Sequence, residues 1–186
     1  MVILDVAEVV VQVALWVLSG LLFWQWMQER QRRRRRGVRI SRRIEPLVRN
    51  TIYAAVVRDP AKLTKALAEL VDDEKASKAV DIALRVVVRV LWDAHRGEPN
   101  EPELRILADD IAAVESWAQL TPEQVFTFLT ETTAEVPYAM RTLPPEDTIL
   151  MAFVVAGHLL SVHRSADDRW WDYLDRVERR IEAGHR

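Results

Sequence analysis

The side chains best suited to move protons near neutral pH are four histidines, His95, His158, His163 and His185. No two of them stand four residues apart and no H-E-x-x-H occurs, so their spacing makes no helical zinc pair. His158 and His163 are five apart and would point about 140° away from each other around a helix. His158 lies inside the apolar run Ile149–Val162. As a buried acid–base group it would need a pocket and a second titratable group in reach. As a core histidine it would bond a backbone carbonyl or a hydroxyl, the commoner outcome for a polar group in such a run. His95 stands beside Asp93 near the end of a helical pattern and reads as a charge feature of that C-terminus.

Other catalytic constellations do not assemble. The absence of cysteine excludes disulfides, thiolate metal sites and cysteine nucleophiles. Gly20, Gly37, Gly97, Gly157 and Gly184 are too dispersed for a phosphate loop, a dinucleotide turn or a nucleophile elbow. The acid pairs Asp72-Asp73 and Asp167-Asp168 fall at expected helix starts, where carboxylates cap N–H groups and suit the dipole. Asp109-Asp110 falls mid-helix, and Asp110 shares a flank with Glu103 and Trp117. A solvated helix edge accounts for that flank more simply than a cation site. The expectation is a protein that is not an enzyme, with no cofactor and no metal.

Binding chemistry is more prominent. The net charge of -2 conceals a division. Arg30, Arg32, Arg33, Arg34, Arg35, Arg36, Arg39, Arg42 and Arg43 form a basic collar, whereas from Asn50 onward 24 Asp+Glu stand against 16 Lys+Arg. The collar can set membrane topology and hold anionic lipid headgroups, at about 1 kcal/mol per basic residue near the surface. Nucleic acid is disfavoured as a partner: no aromatic interleaves the arginines from Gln28 to Asn50, and the acidic body would repel a phosphate backbone. Near the C-terminus Trp170, Trp171 and Tyr173 accompany an apolar face of Trp170, Leu174, Val177 and Ile181. Those aromatics either dock the helix on the core or offer a partner protein a surface of the kind that carries binding energy. Asp172–Arg176 and Asp175–Arg179 have the acid-first spacing of pairs along one helix.

The elements that position these groups begin with the run Val6–Met27, apolar apart from Glu8, Gln12, Ser19, Gly20 and Gln25. As a helix its 22 residues would extend about 33 Å, enough to cross the hydrocarbon of a bilayer. Asp5 and Glu8 precede or enter it and the arginines follow it, so positive-inside logic places the N-terminus outside. The acidic start, long apolar stretch and missing A-x-A site distinguish it from a cleaved leader. Asp5, Glu8, Gln12 and Ser19 share one stripe. That stripe either sits in the outer interface, or lets Glu8 and Gln12 associate with a second copy or line a pore.

Everything after the collar reads as helix, with prolines and capping residues at the starts: Glu45-Pro46, Asp59-Pro60, Asp72-Asp73, Asn100 with Pro102, Thr121-Pro122 with Gln124, Pro144-Pro145, and Ser165 with Asp168. The expected ends are near Arg58, Val71, His95, Ala118, Thr133, His163 and Glu182. Along Glu74–His95 the charges Asp81, Arg85, Arg89 and Asp93 recur every four residues as one wet stripe. Ile149–Val162 is short for a crossing and reads as a buried central helix, a second membrane segment being the alternative.

The resulting expectation is an all-α protein: residues 1–28 a transmembrane anchor, 29–45 a basic juxtamembrane linker, and 46–186 a compact bundle of six to seven helices. Arginine greatly outnumbers lysine, the codon-usage bias of a GC-rich bacterial genome. The location expected is a bacterial inner membrane with the bundle cytoplasmic. The expected function is a non-catalytic adaptor or regulator that presents the bundle to a partner protein. The alternatives are an oligomeric, holin-like or pore-lining protein, or an all-α enzyme built around His158.

Overall fold

The computed structural model describes residues 40–70, 73–136 and 141–184, and there the chain is all-α, with seven helices and no strand. The expected anchor, including Glu8 and Gln12, lies outside the described residues, as do Arg30, Arg32, Arg33, Arg34, Arg35, Arg36 and Arg39 of the collar.

Helix α1 (Glu45–Val56) takes Pro46 in its first turn, where the missing N–H is not needed, and buries Val48, Thr51, Ile52, Ala54 and Ala55. Helix α2 (Pro60–Ala68) is capped by Asp59, whose carboxylate accepts from Lys62 N at 3.0 Å. Helix α3 (Asp73–His95) buries Ala79, Val80, Ile82, Ala83, Val86, Val87, Val90 and Leu91. Its wet stripe holds the expected pairs, Asp81–Arg85 and Arg89–Asp93, each at 2.8 Å. Helix α4 (Glu101–Val114) opens on a capping box of Asn100 and Glu103, and α5 (Pro122–Thr133) on one of Thr121 and Gln124. Helix α6 (Pro145–Val162) and helix α7 (Trp170–Glu182) complete the bundle.

Two expected boundaries are corrected. Helix α4 stops at Val114 rather than Ala118; Glu115 leaves the helix and a short 3-10 turn, Ser116–Ala118, follows. Helix α7 starts at Trp170 rather than directly after a cap at Ser165. Asp168 N–H bonds back to Ser165 O in a turn, its carboxylate is held by Arg176, and Arg169 with Asp172 forms the cap instead.

Helix α6 is the centre of the bundle, packed against α1, α3, α5 and α7. Every residue from Met151 to Leu160 is buried. Each large apolar side chain here, such as Phe153, Leu159 or Leu160, is worth about 2 kcal/mol over its exposed state. Among the described residues this is the one helix long and apolar enough to cross a membrane, with mean hydropathy 1.3, and 61% of it is buried by the other helices. Helix α1 crosses it at Gly157, where an added Cβ would stand 3.0 Å from Ala55 Cβ and 3.3 Å from Val56 N. The bundle also takes in the end of the collar: Ile40 and Ile44 join the core.

Candidate functional site

The break in α4 at Val114 has a chemical consequence. Released from the helix, Glu115 turns inward and is 3% exposed. Its Oε1 lies 2.9 Å from His158 Nδ1 and accepts from Arg58 Nη2 at 3.2 Å. Its Oε2 accepts from Trp117 Nε1 at 2.7 Å and Arg58 Nε at 3.1 Å. One carboxylate thus joins the segment after α1, the end of α4 and the C-terminal part of α6. Arg58 reaches it from a left-handed backbone conformation, φ 53°. Burial raises the Glu115 carboxyl, but hydrogen bonds from His158, Trp117 and Arg58 outweigh burial and hold it below the usual carboxylate range.

The other ring nitrogen of His158, Nε2, lies 3.4 Å from Asp110 Oδ2. Nδ1 is thus hydrogen-bonded to one carboxylate, while Nε2 lies near a second without a hydrogen bond to it. This corrects the expectation for a core histidine: the hydrogen-bond partner is the Glu115 carboxylate, not a backbone carbonyl or hydroxyl. The second titratable group required of an acid–base site is present. The His158 side chain, however, is only 1% exposed, so no solute can reach it without local opening. The Glu103–Asp110–Trp117 flank does not form one site. Glu103 caps Asn100 and lies 3.5 Å from His95, while Trp117 has left the helix for the Glu115 carboxylate. His163, half-buried at the end of α6, has its pKa depressed by burial and by the proximity of His95 and His158.

The aromatic candidates separate. Trp171 is 40% exposed, with the Arg169 guanidinium 5.2 Å above its ring. Trp170 meets Trp171 edge-on at 5.6 Å and stacks on Tyr53 at 6.2 Å. Tyr53 and Val57, one turn apart along the end of α1, are themselves exposed. Tyr173 turns inward and is buried. The structure therefore gathers Trp170 and Trp171 with Tyr53, a residue that sequence reasoning missed because it is over 100 positions away and belongs to another helix.

On a different side of α7, an open groove of about 280 Å³ runs between it and α1, lined by Ile40, Glu45, Arg49, Asp175, Glu178, Arg179 and Glu182. Arg49 is its central cation. It donates through Nη2 to Asp175 Oδ1 at 2.6 Å and to Glu178 Oε2, and its Nε lies 3.2 Å from Glu45. The expected pairs along α7 are thus replaced by pairs between elements, since Asp175 takes Arg49 and Arg176 takes Asp168. Arg179 Nε donates to the Asp175 carbonyl at 3.2 Å. Glu178 is buried and its Oε1 has no hydrogen-bond partner. Burial raises its pKa to about 7 against the opposing pull of Arg49. At the mouth of the groove Ile40 N–H donates to Glu182 Oε1 at 3.1 Å, while Arg42 and Arg43 are exposed to solvent.

Among the described residues, no group of three or more histidine or carboxylate side chains is arranged to hold a metal ion. Compared with known proteins, the chain matches no family model, no curated protein and no solved structure.

Proposed function

We propose that this chain is a membrane-anchored, non-catalytic adaptor that presents its helical bundle to a partner protein in the cytoplasm. The observation that carries the reading is a surface ridge in which exposed Tyr53, Val57 and Trp171 accompany the partly buried Trp170. Tyrosine and tryptophan offer large, rigid contact area at little entropic cost, and an arginine beside them is a further feature of binding hot spots. Enclosure of His158 supports a structural part for the imidazole and so weighs against chemistry at that position. The anchoring half of the proposal rests on Val6–Met27 and the arginines that follow it.

The test is crosslinking and affinity purification of the full-length protein from detergent-solubilised native membranes, with Trp171→Ala in parallel. A stoichiometric foreign protein, captured by the wild type and lost with Trp171→Ala, is the expected result. Recovery of only self-crosslinked ladders overturns the adaptor in favour of a membrane-acting oligomer.

A further inference from the structure

The groove between α1 and α7 carries more negative charge than its own cations answer. Glu45, Asp175, Glu178 and Glu182 line it against Arg49 and Arg179. Arg49 is already divided among Glu45, Asp175 and Glu178. Glu178 has a side chain only 8% exposed, yet its Oε1 has no hydrogen-bond partner. A carboxylate oxygen in that position costs free energy unless a donor reaches it. The groove is about 280 Å³ in volume and open to one side, so a planar guanidinium can enter it. Glu178 Oε1 is itself buried and Oε2 holds Arg49, so the Glu178 carboxylate must turn toward the groove to meet it.

The chain carries its own supply of guanidinium at the groove's mouth. Ile40 lines the groove and is fixed there by its N–H bond to Glu182. The ten positions immediately before it, 30 to 39, contain seven arginines. Each residue extends a chain by at most about 3.5 Å, so all seven are tethered within about 35 Å of Ile40. A short tether of this kind gives an effective concentration in the millimolar range.

We propose that this groove is the docking site of the chain's own basic collar, with an arginine from Arg30–Arg39 pairing with Glu178 and Glu182. A guanidinium held there is withdrawn from lipid, so the acidic groove and anionic headgroups compete for the same arginines. The competition rests on the membrane anchoring proposed above, whereas the docking does not. Binding of anionic lipid would free the groove, and neutralising the groove would free the collar.

Because the chain has no cysteine, the only disulfide an introduced pair can form within one molecule is with each other, and non-reducing gels separate it from disulfides between molecules. Gln31→Cys places a thiol in the collar without removing an arginine, and Ala183→Cys places the other on exposed backbone just past α7. Disulfide formation on addition of diamide as the two-electron oxidant is followed in the full-length protein in neutral detergent. A second pair, Gln31→Cys with Ala61→Cys on exposed α2, is the reference, and thermal unfolding confirms that each variant is folded. Docking predicts that adding Glu178→Gln and Glu182→Gln slows the Gln31–Ala183 crosslink by about tenfold, the size of a lost charge-assisted hydrogen bond. The reference pair should not change. Equal rates with and without the two substitutions overturn the docking. In nanodiscs containing phosphatidylglycerol the same crosslink should slow relative to neutral lipid. An unchanged rate there overturns the competition and the headgroup role of the collar while leaving the docking standing.

Discussion

Glu115 Oε1 stands 2.9 Å from His158 Nδ1, and this contact ties a residue expelled from the end of one helix to the C-terminal part of the most buried one. Arg58 and Trp117 complete the carboxylate's shell from two further segments. The network therefore fixes where α1 ends, where α4 ends and how α6 sits between them. Its members rely on one another because a buried charge is tolerated only while its partners remain.

Glu115→Ala should accordingly lose about 3 kcal/mol of stability, since it leaves His158 and the Trp117 N–H without their acceptor. Glu115→Gln, which keeps an acceptor oxygen and the volume, should lose less. Urea unfolding of the full-length protein in detergent measures both through the midpoint at constant slope. If the alanine variant unfolds within experimental error of wild type, the network does not clamp these elements.

The groove gives a pH dependence of defined sign. Glu178 has its pKa raised to about 7 from an ordinary 4.5. The folded chain binds this proton more tightly than the unfolded one, so the group's stabilisation is complete below the ordinary value and is lost as pH rises through about 7. Glu115, held below its ordinary value, acts in the opposite sense: its stabilisation is present above pH 4.5 and is lost as pH falls. Glu178→Gln removes the first effect and leaves the second. The melting temperature of Glu178→Gln should therefore gain on wild type as pH is raised from about 5 to about 8. A constant offset between the two proteins over that range would show that Glu178 does not titrate there.

The helices were legible because their signals are local. Asn100 with Glu103, and Thr121 with Gln124, close their caps over three residues, and the Asp81–Arg85 and Arg89–Asp93 pairs over four. The buried network was not legible, because its members meet across 43 and 57 positions and no glycine or proline marks the break at Val114. Ser165-Ala166-Asp167-Asp168 misled for a related reason. The local pattern suits a cap, but Arg176, a turn and a half into α7, claims the Asp168 carboxylate. Glu178 follows Leu174 by four residues, so its inward position could have been read from the apolar face. Its cation, Arg49, lies 129 positions away and could not.

Gly157 gives a test of helix packing independent of charge. Alanine would favour helix by about 1 kcal/mol over glycine. Here, however, its Cβ would stand 3.0 Å from Ala55 Cβ and 3.3 Å from the Val56 backbone nitrogen, neither of which can rotate away. Overpacking of this kind costs about 1–3 kcal/mol. Gly157→Ala should therefore be destabilising by about 1 kcal/mol after its helix gain is counted. Adding Ala55→Gly opens space on the facing helix and should recover part of that loss relative to Ala55→Gly alone. Thermal unfolding of the four proteins of this cycle measures the coupling, and strict additivity would mean that the two helices do not meet at this point.

The aromatic ridge separates stability from recognition. Trp170 packs on the core and stacks on Tyr53, whereas Trp171 is 40% exposed and touches Trp170 through an edge. Trp170→Ala should lower stability by about 3 kcal/mol through the lost packing. Trp171→Ala should stay within about 1 kcal/mol of wild type, as exposed positions do. If the ridge is the partner's docking surface, Trp171→Ala weakens capture by at least about 2 kcal/mol, the threshold of a binding hot spot. The contrast is decisive because the folded bundle is retained. A partner captured equally well by Trp171→Ala and wild type would move the interface away from this face of α7, and one lost only with Trp170→Ala would report unfolding rather than recognition.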